Sequence, residues 1–273
     1  MDWLTDAFAL GFQQRALAAG LLAVLASAVV GTWVVLRGMT FIGDALAHGV
    51  LPGVAIGVLA SFDLMLGAAI SAAVMVAGIN LVHRRARLTE DTAIGLLFVG
   101  MLGLGVVLIS RTSSYTGSLT GILFGDILAV SVLDLVVLGA GGIIALALSV
   151  LLYRPFLALA FNEQKAELLG MMPRLAHGAL LALVTMVVVT SFRTVGSLLV
   201  FGLMVGPPAT AALVARRVRT MMLTALVFGA VAVAGGLLVS YHFETAGSAT
   251  ISTLAVAIFF TVLAISGSRR RTV

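Results

Sequence analysis

Asp44 and His48 are the two residues of this chain best placed to do chemistry. They stand four apart in residues 39–60, MTFIGDALAHGVLPGVAIGVLA, a run that is otherwise almost wholly apolar. At 3.6 residues per turn, that spacing puts both side chains on one helix face, about one turn apart. A carboxylate beside an imidazole makes an oxygen-and-nitrogen ligand pair for a divalent cation. The pair is also costly. An Asp at the centre of a membrane helix costs roughly 2.5–3.5 kcal/mol on insertion scales, so it is retained where it lines a polar cavity or has a partner. Two ligands are too few for a closed structural metal site. The others must come from water, another helix or a second copy of the chain. The pattern therefore predicts a transient cation site rather than a catalytic centre.

Other candidates are weaker. His242 and Glu244 lie in a polar stretch between two apolar segments and could capture a cation at an entrance, although solvation of an exposed loop is the plainer account. His83 and His177 sit at segment ends and are assigned no role. Several chemistries are excluded outright. Cysteine is absent, so there is no thiolate metal site and no disulfide. Lys165 is the only lysine and sits in NEQKAE, so no GxxxxGK[ST] nucleotide-binding loop exists here. There is no HExxH, and Ser and His form no hydrolase motif.

The elements that must position the pair follow from composition. The 273 residues are 61% hydrophobic and 10% charged, with mean hydropathy +1.20. Soluble domains carry about 25% charged residues. The chain is thus expected to be all-α and polytopic, a single transmembrane domain over residues 1–273 with no room for a large soluble one. Nine apolar segments are expected, at 16–36, 41–60, 64–82, 92–110, 130–152, 175–191, 195–214, 221–240 and 249–266. Each is about long enough to cross roughly 30 Å of hydrocarbon. Eight spans with one re-entrant piece is the alternative, because Pro and Gly interrupt the second and seventh segments. The first apolar run has spanning length, so no cleavable signal is expected.

The basic residues assign the orientation. One alternating set of loops holds 13 of the 16 Lys and Arg residues, and the other set holds Arg15, Arg111 and Arg193. The positive-inside rule makes the first set cytoplasmic, which places the N-terminus outside and the C-terminus inside. The same scatter of arginines at segment ends explains a pI near 10.7 without nucleic acid. Residues 112–129 then lie outside and are expected to form a re-entrant or interfacial helix. No internal repeat is visible, which counts against inverted-repeat transporters.

Backbone signals cluster near the pair. Ala45, Gly49, Gly53 and Gly57 recur every four residues as a small-residue stripe that permits close helix approach. Pro52 removes one helical hydrogen bond and should kink or break the helix just beyond His48. Gly202 and Gly206 form a GxxxG in the seventh segment, followed by Pro207 and Pro208, and two prolines in a row are expected to break that helix. Non-helical backbone at depth is tolerated only where it is buried or lines a cavity. Pro52, Gly53, Gly206, Pro207 and Pro208 therefore suggest a translocation path. The longest cytoplasmic connection, residues 154–174, contains a short amphipathic helix in this reading. Asn162 suits its N-cap, Glu163 the positive end of its dipole and Gly170 its C′ position, with Ala166, Leu168 and Leu169 on the apolar side. It is a candidate docking surface for a soluble partner.

These residues resemble a known family. VVLRGMTFIGDALAHGVLPGVAIG (34–57), LTEDTAIGLLF (88–98), FGDILAVSVLDL (124–135), YRPFLALAFNEQKAELLGM (153–171) and TVGSLLVFGLMVGPPATAALVARR (194–217) resemble the metal-ion ABC transporter permeases for zinc, manganese or iron. The resemblance covers essentially the whole chain. It implies a type II importer-like bundle in a bacterial cell membrane, a dimer of permeases, two cytoplasmic ATPases and an external metal-binding protein. It implies no permanently bound cofactor, only a transported divalent metal. By matching positions it suggests Asp44 and His48 as the metal site on the pathway. It also suggests Asn162, Glu163, Gln164, Lys165, Ala166, Glu167, Leu168 and Gly170 as the segment that couples to the ATPase. GPPATA stands where many members read IPAATA, and ETAGSAT stands where Pro is often found. Zinc is the favoured metal by family impression, with manganese or iron next. The competing readings are a membrane metalloenzyme or haem protein and a secondary cation transporter working without an ATPase.

Overall fold

The computed structural model describes residues 8–86, 89–110, 125, 127–161, 167 and 170–270. Among these residues there is no strand, and nine helical stretches are long and apolar enough to cross a bilayer. They coincide with the nine expected segments, with ends that differ by a few residues. The helices are α1 (Gly11–Arg37), α2 (Ile42–Gly49), α3 (Leu51–Ala60), α4 (Leu64–Ala86), α5 (Glu90–Ile109), α6 (Val132–Leu151), α7 (Tyr153–Phe161), α8 (Pro173–Val195), α9 (Ser197–Val214), α10 (Val218–Phe243) and α11 (Gly247–Arg270). Helices α2 and α3 together make the second span, and α7 is too short to make one.

Local sequence sets most of these ends. Thr89 caps α5 by accepting from the Thr92 N–H. Ser131 and Asp134 form a reciprocal capping box at α6. Helix α6 gives way to α7 beside Pro155, which has no N–H to offer the Leu151 carbonyl. Helix α1 ends at Gly38, whose φ of 70° is the left-handed C′ conformation glycine adopts without penalty. Of the expected outer helix at 112–129, Ile127–Ala129 forms a short 3₁₀ turn; residues 112–124 and 126 lie outside the described residues.

Helix α1 is the central post. It packs against α6, α8, α9 and α10 and, more lightly, α7. In α1 and in the α2–α3 span, 72% of the most apolar window is buried, against 22% in α5 and α11. The outer helices present Leu66, Val99, Leu133, Ile143 and Leu223 outward, as a lipid-facing surface requires. Between helices, small residues set the crossings. A Cβ on Gly53 would lie 1.9 Å from the Gly67 carbonyl oxygen of α4, and one on Gly49 would strike the Met75 sulfur. The stripe of α2–α3 is therefore the seat of α4.

The second span is interrupted where expected, at Val50 between α2 and α3, with Pro52 in the first turn of α3. The seventh is not. Helix α9 runs unbroken from Ser197 to Val214 with Pro207 and Pro208 inside it, which corrects the expected break. Pro208 leaves the Met204 carbonyl without its helical donor. That oxygen lies where a side chain on Gly31 of α1 would be, 1.9 Å from the position of a Cβ. The freed acceptor thus nests against α1 and the helix continues. The GxxxG of α9 faces Ser252 and Ala255 of α11, so its task is packing. The chain reverses instead at Gly196, whose φ of 79° and ψ of 161° belong to glycine.

Candidate metal site

Asp44 sits in the first turn of α2 and His48 one turn further on. His48 Nε2 lies 3.5 Å from Asp44 Oδ1, and the two side chains are 21% and 28% exposed. Two metal–ligand bonds of about 2.2 Å span that gap at an angle of about 105°. A divalent cation could therefore be held between them with little rearrangement. Their neighbours on α2, Ala45, Leu46, Ala47 and Gly49, are buried. Asp44 and His48 face away from that packed side, on the same surface as Phe41, which is 37% exposed.

Three features hold the pair in place. Phe98 of α5 stands edge-on to both His48 and Phe41, with ring centroids 5.5 and 5.3 Å away. Gly43 brings α2 against Met204 and Phe201 of α9. Just beyond the pair, the Ser71 hydroxyl of α4 donates to the Gly49 carbonyl at 2.7 Å. That bond serves the backbone at the α2–α3 break, where Pro52 offers the His48 carbonyl no N–H. His48 Nδ1 is buried with no hydrogen-bond partner among the described residues. Also among the described residues, no third His, Asp or Glu joins the pair in a cluster able to hold a metal.

The remaining candidates lie elsewhere. His242, in the last turn of α10, donates its Nδ1–H to the Leu238 carbonyl (3.0 Å) and meets the Tyr241 ring edge-on. Glu244 caps that helix with a φ of 51° and is exposed. His242 thus closes α10 and Glu244 begins the turn into α11, and among the described residues neither joins Asp44 and His48 in a cluster able to hold a metal. Gly170 has a φ of 68° and donates its N–H to the Glu167 carbonyl, as a helix C′ glycine would. Asn162, Glu163, Gln164, Lys165, Ala166 and Leu168 lie outside the described residues.

Sequence reasoning did not single out Phe98, Ser71 or Arg37. Arg37 entered only as one positive charge among 13. It donates to the Leu159 carbonyl of α7 and lies beside His177 of α8. A lone arginine closing a helix just before a glycine was the available signal.

Known proteins share this architecture. The chain superposes on PsaBC from Streptococcus pneumoniae in complex with Fab, with a TM-score of 0.83 and 32% identity, over 96% of this chain and 94% of that one. A putative metal-chelate type ABC transporter in an inward-facing conformation has the same fold, with a TM-score of 0.75 at 16% identity over 92% and 85%. In sequence, the chain is 38% identical to the manganese transport system membrane protein MntC of Listeria innocua, over 92% of this chain and 89% of that protein. It is 32% identical to a probable iron transport system membrane protein of Haemophilus influenzae, over 99% of both. The model of the ABC 3 transport family matches residues 9–266. With nine helices of membrane-spanning length among the described residues, a paired carboxylate and imidazole inside one of them and no nucleotide-binding loop in its sequence, the chain belongs to the ABC 3 transport family, as the permease of an ATP-driven metal importer whose ATPase is a separate subunit.

Proposed function

We propose that this permease imports manganese and that Asp44 and His48 hold the ion briefly in transit. The observation that carries the site is the 3.5 Å gap between an imidazole nitrogen and a carboxylate oxygen inside a membrane-spanning helix. The carboxylate, with water completing the shell, suits manganese, the imidazole is a ligand that manganese shares with iron and zinc, and the absence of cysteine removes the thiolates that soft metals prefer. Relatives named for manganese transport support that choice, and a relative named for iron makes iron the second candidate. The zinc preference expected from the resemblance has no counterpart among these names.

The open face carries the assembly. Phe41, Asp44 and His48 would meet hydrocarbon in a single copy, which is costly for the ionisable pair. In our reading a second copy covers this face, and the path runs between the two. An external metal-binding protein delivers the ion near the loop of His242 and Glu244. Cytoplasmic ATPase subunits engage residues 162–170, and both ends of the path follow from the arginine bias. Closure of the ATPases then reorients the bundle around a site too weak to retain its ion.

The test is manganese uptake into proteoliposomes by the transporter assembled with its ATPase and binding-protein subunits. Asp44→Ala and His48→Ala should each lower uptake by at least about tenfold while the complex still assembles, since even groups behind metal ligands contribute 10–100-fold. Full uptake in the double variant would remove the pair from the path. Excess zinc that abolished manganese uptake and was itself imported faster would overturn the choice of metal.

A further inference from the structure

Trp33 and Arg37 lie one turn apart on the same face of α1 and together grip both ends of α7. The Trp33 ring meets Tyr153 and Phe156 edge-on, with centroids 5.4 and 5.5 Å away. Trp33 and Phe156 are each 1% exposed. Four residues on, Arg37 donates from Nη1 to the Leu159 carbonyl in the last turn of α7 at 3.0 Å. Its Nη2 stands 3.4 Å from His177 Nδ1 on α8. Carbonyls at a helix C-terminus lack intrahelical donors and favour a cation, so the guanidinium suits this place twice over. Arg219, next to the start of α10, adds a cationic contact over the Tyr153 ring at 5.5 Å.

The same arginine is the last residue of α1, and the corner after it has little slack. The Gly38 N–H donates to the Val35 carbonyl and the Met39 N–H to the Val34 carbonyl, both at 3.1 Å. This is the Schellman pattern. Met39 is buried, and its carbonyl accepts from Ile42, the first residue of α2. Asp44 follows within one turn. On the other side, α7 ends at Phe161 and the sequence continues directly into residues 162–170.

We infer that the Trp33–Arg37 clasp is the strut that carries movement of residues 162–170 to the Asp44–His48 pair, and that Arg37 is its positioning residue. Apolar contact alone would let α7 slide or roll on α1. A guanidinium fork set between a carbonyl and an imidazole fixes its register. Displacement of α7 then moves the last turn of α1, and the stiff corner at Gly38 hands that motion to α2. The inference rests on residues 162–170 being the ATPase contact.

The assembled transporter in proteoliposomes tests it, through the ratio of manganese imported to ATP hydrolysed. Arg37→Met keeps the length of the side chain and removes its donors. It should leave the ATPase subunits bound and hydrolysing while lowering the ratio about tenfold, within the usual range of inter-site coupling. Arg37→Lys keeps one cationic head and should recover part of the loss, whereas a merely structural role would change yield and leave the ratio alone. Tyr153→Leu loosens the clasp from the α7 side and should lower the ratio in the same direction. If Arg37→Met does not accumulate, Tyr153→Leu decides alone, and a wild-type ratio in either purified variant overturns the strut. A Glu163→Ala, Glu167→Ala double variant separates the two readings. Lost co-purification of the ATPase supports the contact on which the strut depends. Intact assembly and transport there would overturn that contact, and the strut with it. A wild-type ratio in the clasp variants, with assembly lost in the double variant, would overturn the strut by itself.

Discussion

The His48 imidazole packs against an aromatic ring. Phe98 touches both His48 and Phe41 edge-on, and each such pair is worth about 0.5–1.5 kcal/mol beyond the area it buries. In the proposed metal site, an imidazole without Phe98 would have to be ordered by the ion itself, which costs about 0.5–1.5 kcal/mol for one side chain. Phe98→Ala is therefore expected to raise the manganese concentration for half-maximal uptake about three- to tenfold. Uptake titrations in the assembled transporter would show this, and an unchanged midpoint would show that the ring only fills space.

Between helices, the critical positions are those where a backbone stands in place of a side chain. Gly31 is the clearest. A methyl group there would lie 1.9 Å from the Met204 carbonyl oxygen, and that oxygen belongs to the stretch of α9 that Pro207 and Pro208 deprive of donors. Backbone cannot yield as a flexible side chain does. Gly31→Ala should destabilise the protein by about 1–3 kcal/mol, the usual cost of overpacking. Gly100 on α5 has open space where its Cβ would be. Gly100→Ala should be neutral or slightly stabilising, since alanine is the better helix former by up to about 1 kcal/mol. Thermal unfolding of the two variants in one detergent compares them directly. Equal midpoints would mean that the α1–α9 crossing adjusts freely.

For the molecule as a whole, orientation decides what each end meets. The 13 basic residues on one side predict that the loop after α9 is cytoplasmic and the loop after α10 external. A chain without cysteine makes this easy to check. Thr245 and Arg217 are both exposed. Thr245→Cys should react with a membrane-impermeant thiol reagent in intact spheroplasts, and Arg217→Cys only after permeabilisation. The reverse pattern would invert the topology and place Asp44 near the outer surface.

Much of this protein was legible in its sequence because the bilayer imposes simple rules. A span needs about 20 apolar residues, so nine runs announced the nine spanning-length helices found among the described residues, and an ionisable pair within one of them pointed to a candidate site. The kink beside Pro52 followed from a missing N–H. The break expected at Pro207 and Pro208 failed for a reason no local rule contains, because the carbonyl they free is accommodated by a glycine more than 170 residues away in the chain. Phe98 on His48 and Arg37 on Leu159 were hidden in the same way. The sequence by itself determined which segments are long and apolar enough to span the membrane and which ionisable pair lies inside one of them. Tertiary structure decided which helices touch. Lipid is as apolar as leucine, so burial gives membrane helices no reason to choose one neighbour over another. The choice falls to shape and to hydrogen bonds between distant residues: Gly31 against Met204, Gly53 against Gly67, and Arg37 on the end of α7.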